Sequence, residues 1–279
     1  MQVKIYKPNS KNIEFKDIFK EMFSDVAKSK NLAWTLTLRD FKGQYRQSFL
    51  GVVWAFITPL MNTLVWIFLN ASGAIKLADT GIPYPVYVFT GTMIWSILLE
   101  SITMPLQQTN ASKGIMSKIN FPKESLLLSG LYKIGFNTLV KVVILFVALL
   151  SMGILPTIQL AMLPIVFTGI ILFGYTIGLL ITPIGMLYTD VGRAIPMLMQ
   201  FLMYLSPVVY STVGGGMMAR IVKLNPLTAL VSTGRSVLTG LPFEYAIYFT
   251  IACCITLILF FVAWFFYRFS IPIIVERNG

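Results

Sequence analysis

No histidine occurs anywhere in the chain, which removes the commonest general base and metal ligand at once. The two cysteines, Cys253 and Cys254, are adjacent inside an apolar run, so they offer neither a disulfide framework nor a metal-ligand spacing. They read as two small apolar side chains. The phosphate-loop pattern GxxxxGK[ST] is missing, and Gly214-Gly215-Gly216 lacks the Lys-Ser/Thr ending that a phosphate cradle needs. No serine or cysteine nucleophile has an imidazole to activate it. Charge is scarce as well: 12% of the residues are charged, against roughly 25% in soluble domains. The first 46 residues are polar and amphipathic, without the short apolar core and small-residue cleavage site of a secretory signal. Hydrolase, metalloenzyme and self-contained ATPase readings are thereby set aside.

What is present is apolar length. Hydrophobic residues make up 56% of the 279, and mean hydropathy is +0.77. Between Val142 and Ala219 the only charges are Asp190 and Arg193. That run is far longer than the roughly 20 residues a helix needs to cross a bilayer, so it must fold back on itself. A turn at Asp190–Arg193 belongs in water, because a lipid-facing charge and unsatisfied amides each cost several kcal/mol. Three residues apart, the two charges can close one helical turn as an ion pair. The stretch is therefore expected to be a hinge between two spans.

Counting outward from the hinge gives an all-α polytopic membrane protein with six transmembrane helices. The expected spans are 49–71, 85–105, 125–153, a fourth ending near Leu187, 194–211 and 245–267, with Pro59 inside the first. The segment 1–47 reads as an amphipathic, interfacial N-terminal region carrying two helices. In residues 12–28, Phe15, Ile18, Phe19, Met22, Phe23 and Val26 repeat at three and four residues. The second helix, 32–47, mixes Trp34, Leu38, Phe41 and Tyr45 with Arg39, Lys42 and Arg46, a pairing suited to a headgroup layer. Packing on another protein surface is the competing reading for the first. Residues 48–268 form the membrane domain, with a polar loop at 106–124, two short helices at 213–244 entering from or lying on one side, and a tail at 269–279. Gly174 and Gly178 have the four-residue interval of close helix packing, a pattern also common by chance in apolar sequence.

The formal charge is +11, yet its placement argues against nucleic acid. Ten of the 22 lysines and arginines fall in residues 1–46, mixed with five acids and followed by a span. With six spans, sixteen lie on the side of the termini and four on the other, which places both termini in the cytosol and the 213–244 hairpin outside. Glu100, Lys133 and Lys141 are charges in or near the spans. They either line a polar path or snorkel to the interface. The 106–124 loop is basic and carries Ile115, Ile119 and Phe121, an apolar set a short helix could present to another protein; a solvated topogenic loop is the alternative. Trp54, Trp66, Tyr87, Trp95, Phe201, Tyr204 and Tyr210 could stack on sugar rings, or serve as packing and interface anchors.

Several stretches taken in order resemble the permease subunit of ATP-binding-cassette polysaccharide exporters, the O-antigen, capsule and teichoic-acid group. They are Arg39-Asp40-Phe41-Lys42 with Tyr45-Arg46, Leu50-Gly51-Val52-Val53-Trp54-Ala55 ending Pro59-Leu60, and Pro83-Tyr84-Pro85 with Gly91 and Trp95. Lys118-Ile119-Asn120-Phe121-Pro122, Asp190-Val191-Gly192-Arg193 with Pro196, Ser206-Pro207-Val208-Val209-Tyr210, Asn225-Pro226 and Arg235 complete the set. The resemblance implies a homodimeric six-span permease in the bacterial cytoplasmic (inner) membrane, joined to two ATPase subunits that hold ATP and magnesium, while this chain binds no cofactor. Its substrate would be a lipid-linked polysaccharide. Trp34, Arg39, Lys42, Tyr45 and Arg46 would mark the interfacial helix; Lys113, Lys118, Phe121, Pro122, Lys123, Asp190 and Arg193 would couple to the ATPase. Trp54, Tyr87, Trp95, Phe201, Tyr204, Tyr210 and Arg235 would be channel or gate candidates, near a re-entrant hairpin. The family often places an aromatic residue or proline where this chain has Gly214-Gly215-Gly216. Drug or lipid export by the same kind of permease, and an ion-coupled carrier, are the alternative functions.

Overall fold

The structure, a computed structural model, describes residues 15–46, 53–73, 80–116, 118–119, 121–211 and 217–278. These are helices joined by short turns, with no strand among the described residues. In chain order they are α1 (Phe15–Arg46), α2 (Trp54–Ala71), α3 (Tyr84–Ala111), α4 (Lys113–Met116), α5 (Glu124–Ser151), α6 (Leu163–Leu187), α7 (Thr189–Tyr204), α8 (Met217–Leu224), α9 (Pro226–Thr239) and α10 (Ala246–Asn278). Four helical segments are long and apolar enough to cross a bilayer: Tyr84–Ala111, Glu124–Ser151, Ile158–Leu187 and Ala246–Glu276. A shorter apolar stretch, Pro59–Ala71, belongs to α2. The start of the expected first span, 49–52, and Gly214-Gly215-Gly216 lie outside the described residues.

Local chemistry explains the boundaries. Proline begins α3 in Pro83-Tyr84-Pro85 and α9 at Pro226, where its missing N–H would have no helical partner anyway. The Asn225 side chain accepts from the Leu227 amide at 2.9 Å, a side-chain cap for α9. Gly240 closes the same helix in the left-handed region, φ 78°. The α6–α7 break is one extended residue, Tyr188.

Four boundaries differ from the sequence expectation. The two N-terminal helices are one: α1 runs unbroken for 32 residues because Ser29-Lys30-Asn31 holds no proline or glycine, and Ser29 is itself buried. α7 stops at Tyr204, 16 residues and about 24 Å long. The chain from Leu205 to Tyr210 that was expected to finish a span is instead turned and tucked under α9. α3 extends six residues past Pro105, so much of the 106–124 segment is helix rather than loop, and α10 carries the expected tail to Asn278 in one helix.

α3 is the axis. It is buried along most of its length and lies closest to α6, where a Cβ added at Gly174 would sit 2.7 Å from the Ser101 Cβ. At Gly178 an added Cβ would collide with the Ile102 carbonyl. The small-residue spacing is thus a true contact face, which lets the two backbones approach. α1 packs along α5, and its Phe23 meets Trp264 of α10 edge-on at 5.5 Å.

Two ends of the bundle follow from contacts. Gly192, just past the α6–α7 break, faces Leu106 near the α3 C-terminus. Arg268, late in α10, pairs with Asp25 of α1 at 2.7 Å and with Glu124 at the α5 N-terminus. The hinge, α4, and the N- and C-terminal helices therefore share one end. The α3 N-terminus, α9 and the α10 N-terminus form the other.

Candidate functional site

At the hinge end, Asp190 and Arg193 stand 4.0 Å apart and almost wholly exposed, 92% and 86% for their side chains. In water such a pair contributes about 0–1 kcal/mol, so its stabilising role within this chain is small. Nearby, α4 turns Met116 inward and leaves Lys118 exposed and Ile119 60% exposed. Lys123 lies over the Phe121 ring at 5.1 Å, with Phe121 and Pro122 half-buried, as is Lys113. Burial pulls the Lys123 ammonium below its ordinary value, against the opposing charge of Glu124. An exposed isoleucine and lysine, at the same end as an exposed ion pair, give that end apolar and charged surface.

A polar track climbs from this end between α1, α3 and α5. Asp40 takes a 2.6 Å ion pair from Lys133, a 3.0 Å hydrogen bond from Gln108 and a two-pronged contact from Arg39 at 2.8 and 2.7 Å. Burial pushes the Asp40 carboxyl up, but the hydrogen bonds from Lys133, Gln108 and Arg39 outweigh it and hold it below 3.8. Gln108 also donates to the Ser129 hydroxyl at 3.1 Å, which meets Thr37 at 3.0 Å. About two turns higher, Lys141 pairs with Glu100 at 2.8 Å, and Asn137 donates to the other Glu100 oxygen. The charges do not snorkel separately. They neutralise one another across helices, as ionisable groups at membrane depth must. Lys133, Asn137 and Lys141 recur every four residues, so their common helical face was readable in the sequence; Asp40, Gln108 and Glu100 as their partners were not.

At the opposite end a different knot forms. Arg235 of α9 is 3% exposed, and its Nη2 donates to the carbonyls of Pro207 and Val208 at 3.0 and 2.9 Å. Its guanidinium lies 3.5 Å from the Tyr87 ring centroid, a desolvated cation–π contact. The Tyr87 hydroxyl donates to Tyr210 and Pro207 carbonyls at 2.9 and 3.1 Å, and that of Tyr84 to Val209 at 3.0 Å. Asn225 reaches the Ser206 hydroxyl at 3.1 Å. Every carbonyl freed where α7 ends, from Pro207 to Tyr210, finds a donor here. Gly91 has no Cβ because one would strike the Val208 carbonyl and come within 2.5 Å of Arg235 Nη2. Four separate sequence motifs thus close into one unit.

The remaining candidates scatter. Trp95 is buried in α3 at 5% exposure, away from the knot residues' hydrogen bonds. Phe201 and Tyr204 are exposed on α7, and Tyr204 rests against Trp66 at 6.3 Å. Trp34 is exposed but touches Tyr132 at 6.0 Å, and Lys42 is exposed. Tyr45 and Arg46 end α1; their side chains, with that of Trp54, lie outside what is described. Among the described residues no group of histidine, cysteine and carboxylates is arranged to hold a metal.

Residues 31–239 match the model of a family described as ABC-2 type transporter. The chain is also similar to the O-antigen export system permease protein RfbA of Klebsiella pneumoniae, 25% identical over 228 residues that cover 79% of this chain and 86% of the relative. A protein of the same name from Myxococcus xanthus is 23% identical over 212 residues, 75% of this chain and 80% of the relative. The family match spans both hinge residues, the polar track and every member of the Arg235 knot. The chain belongs to the ABC-2 type transporter family.

Proposed function

We propose that this chain is the membrane-spanning subunit of an ATP-driven exporter that moves a lipid-linked polysaccharide, O-antigen in type, across the bacterial cytoplasmic membrane. The observation that carries the reading is the likeness to two O-antigen export permeases over three quarters or more of the chain. A chain lacking a phosphate loop needs its ATP and magnesium on a partner. Two ATPase subunits would dock on α4 with Lys113, Lys118, Phe121, Pro122 and Lys123, and on the Asp190–Arg193 hinge. The exposure of both features at one end supports this. α2 and α7 complete six spans, and a second copy covers them. Met61, Leu64, Val65 and Phe68 on α2, and Met197, Leu198 and Phe201 on α7, are exposed apolar side chains. A polymer path along a two-fold axis would run between such faces. The excess of cations at the hinge end supports a cytosolic location for it and for both termini.

Deletion of the gene tests the reading. Loss of surface polysaccharide with lipid-linked polymer accumulating inside is expected, together with co-purification of a Walker-motif ATPase. An unchanged cell surface with altered drug or lipid efflux would overturn it.

A further inference from the structure

The Arg235 knot borders a pocket of about 310 Å³ at the end of the bundle opposite the hinge. Its wall includes Ser211, Ser232, Ser236, Glu244, Tyr245 and Arg235 itself. That size lies at the lower end of small-molecule sites, yet the wall is unusually rich in oxygen for one. Ser236 already donates to the Pro242 carbonyl at 3.0 Å, and a hydroxyl so engaged keeps lone pairs to accept with. Glu244 is exposed and offers a carboxylate. Ser211 and Ser232 supply the complement, since each hydroxyl on the wall can donate as well as accept.

These groups select a ligand by elimination. An anion meets the Glu244 charge, with the neighbouring cation already committed to two backbone carbonyls. An apolar ligand would strand the serine hydroxyls and the carboxylate. A neutral polyol, whose O–H groups donate to carboxylate and serine oxygens and whose oxygens accept from serine hydroxyls, satisfies both sets. Tyr245 adds an aromatic wall on which a ring can rest. We propose that this pocket is a binding site for one or two sugar units, engaging the polymer as it leaves. The inference deepens the export reading and rests on it for the pocket's outward orientation.

The full chain, in lipid nanodiscs with its ATPase partner, is probed on an array of immobilised oligosaccharides from bacterial surface polymers. Ser232→Leu fills the pocket without touching the hydrogen bonds of the knot, and Glu244→Gln removes the carboxylate from an exposed position. The wild type should bind a subset of sugars; Glu244→Gln should bind them about tenfold more weakly, the loss of one charged hydrogen bond, and Ser232→Leu, which fills the space, should abolish binding. Unchanged circular dichroism and elution of the variants verify their fold. No sugar bound by the wild type, or equal binding by the variants, overturns the pocket. The two readings fail separately. A deletion strain that loses its surface polymer while the array stays blank leaves export standing and removes the pocket. Array binding that Ser232→Leu abolishes, beside an intact cell surface, removes export instead.

Discussion

Gly91 and Arg235 show how one position can be fixed by another 144 residues away. The space a Cβ would need at Gly91 is taken by the Val208 carbonyl and the guanidinium, neither of which can move without breaking the knot. Gly91→Ala is expected to cost about 1–3 kcal/mol, the usual range for overpacking, read as a lowered melting temperature in detergent. Asp40 carries a pH dependence of definite sign. Its carboxyl sits below 3.8 in the folded chain, so its contribution is fully present above that value and is lost as pH falls through the lower folded value. Melting temperature against pH should therefore drop on the acid side. Asp40→Asn should flatten that drop while lowering stability near neutrality, since Lys133 loses its charge partner.

Elements add what single residues do not. α4 with Lys118 and Ile119, and the turn before α7, present exposed side chains at the hinge end. Phe121→Ala or Lys118→Glu should uncouple export while leaving membrane insertion intact, scored by surface polymer against membrane protein level; normal polymer in both would remove the coupling role. Arg193→Ala, which forfeits little intrachain energy, should reduce co-purification of the ATPase. Sequence periodicity sufficed to place the four long apolar segments, because hydropathy over some twenty residues is a local property. The end of α7 was not legible: Leu205–Tyr210 is as apolar as the helix before it. What turns it is a set of donors from α3 and α9, Tyr84, Tyr87 and Arg235, all remote in sequence. Merging of the two N-terminal helices has a simpler cause, since the missed link held no breaker at all.

At the scale of the whole molecule, the separate charges singled out in the sequence became pairs. Lys133 and Lys141 could be read as buried cations, but only the packing of α1 and α3 against α5 supplies Asp40 and Glu100. The assembly test is direct: cysteines introduced at Leu64 and Phe201, exposed on α2 and α7, should cross-link two copies in native membranes. A chain that stays monomeric under oxidation, with ATPase bound, would exclude those faces. The knot around Arg235 carries a mechanical consequence. It clamps the far ends of α3, α7 and α9 with a desolvated cation, while the near end of α7 carries a solvated ion pair beside the turn at Tyr188. Force applied by a motor at that turn would meet a fixed pivot some two dozen ångströms away, about the length of the α7 rod. Tilting about that fulcrum, rather than sliding along its own axis, is the stroke this anatomy permits.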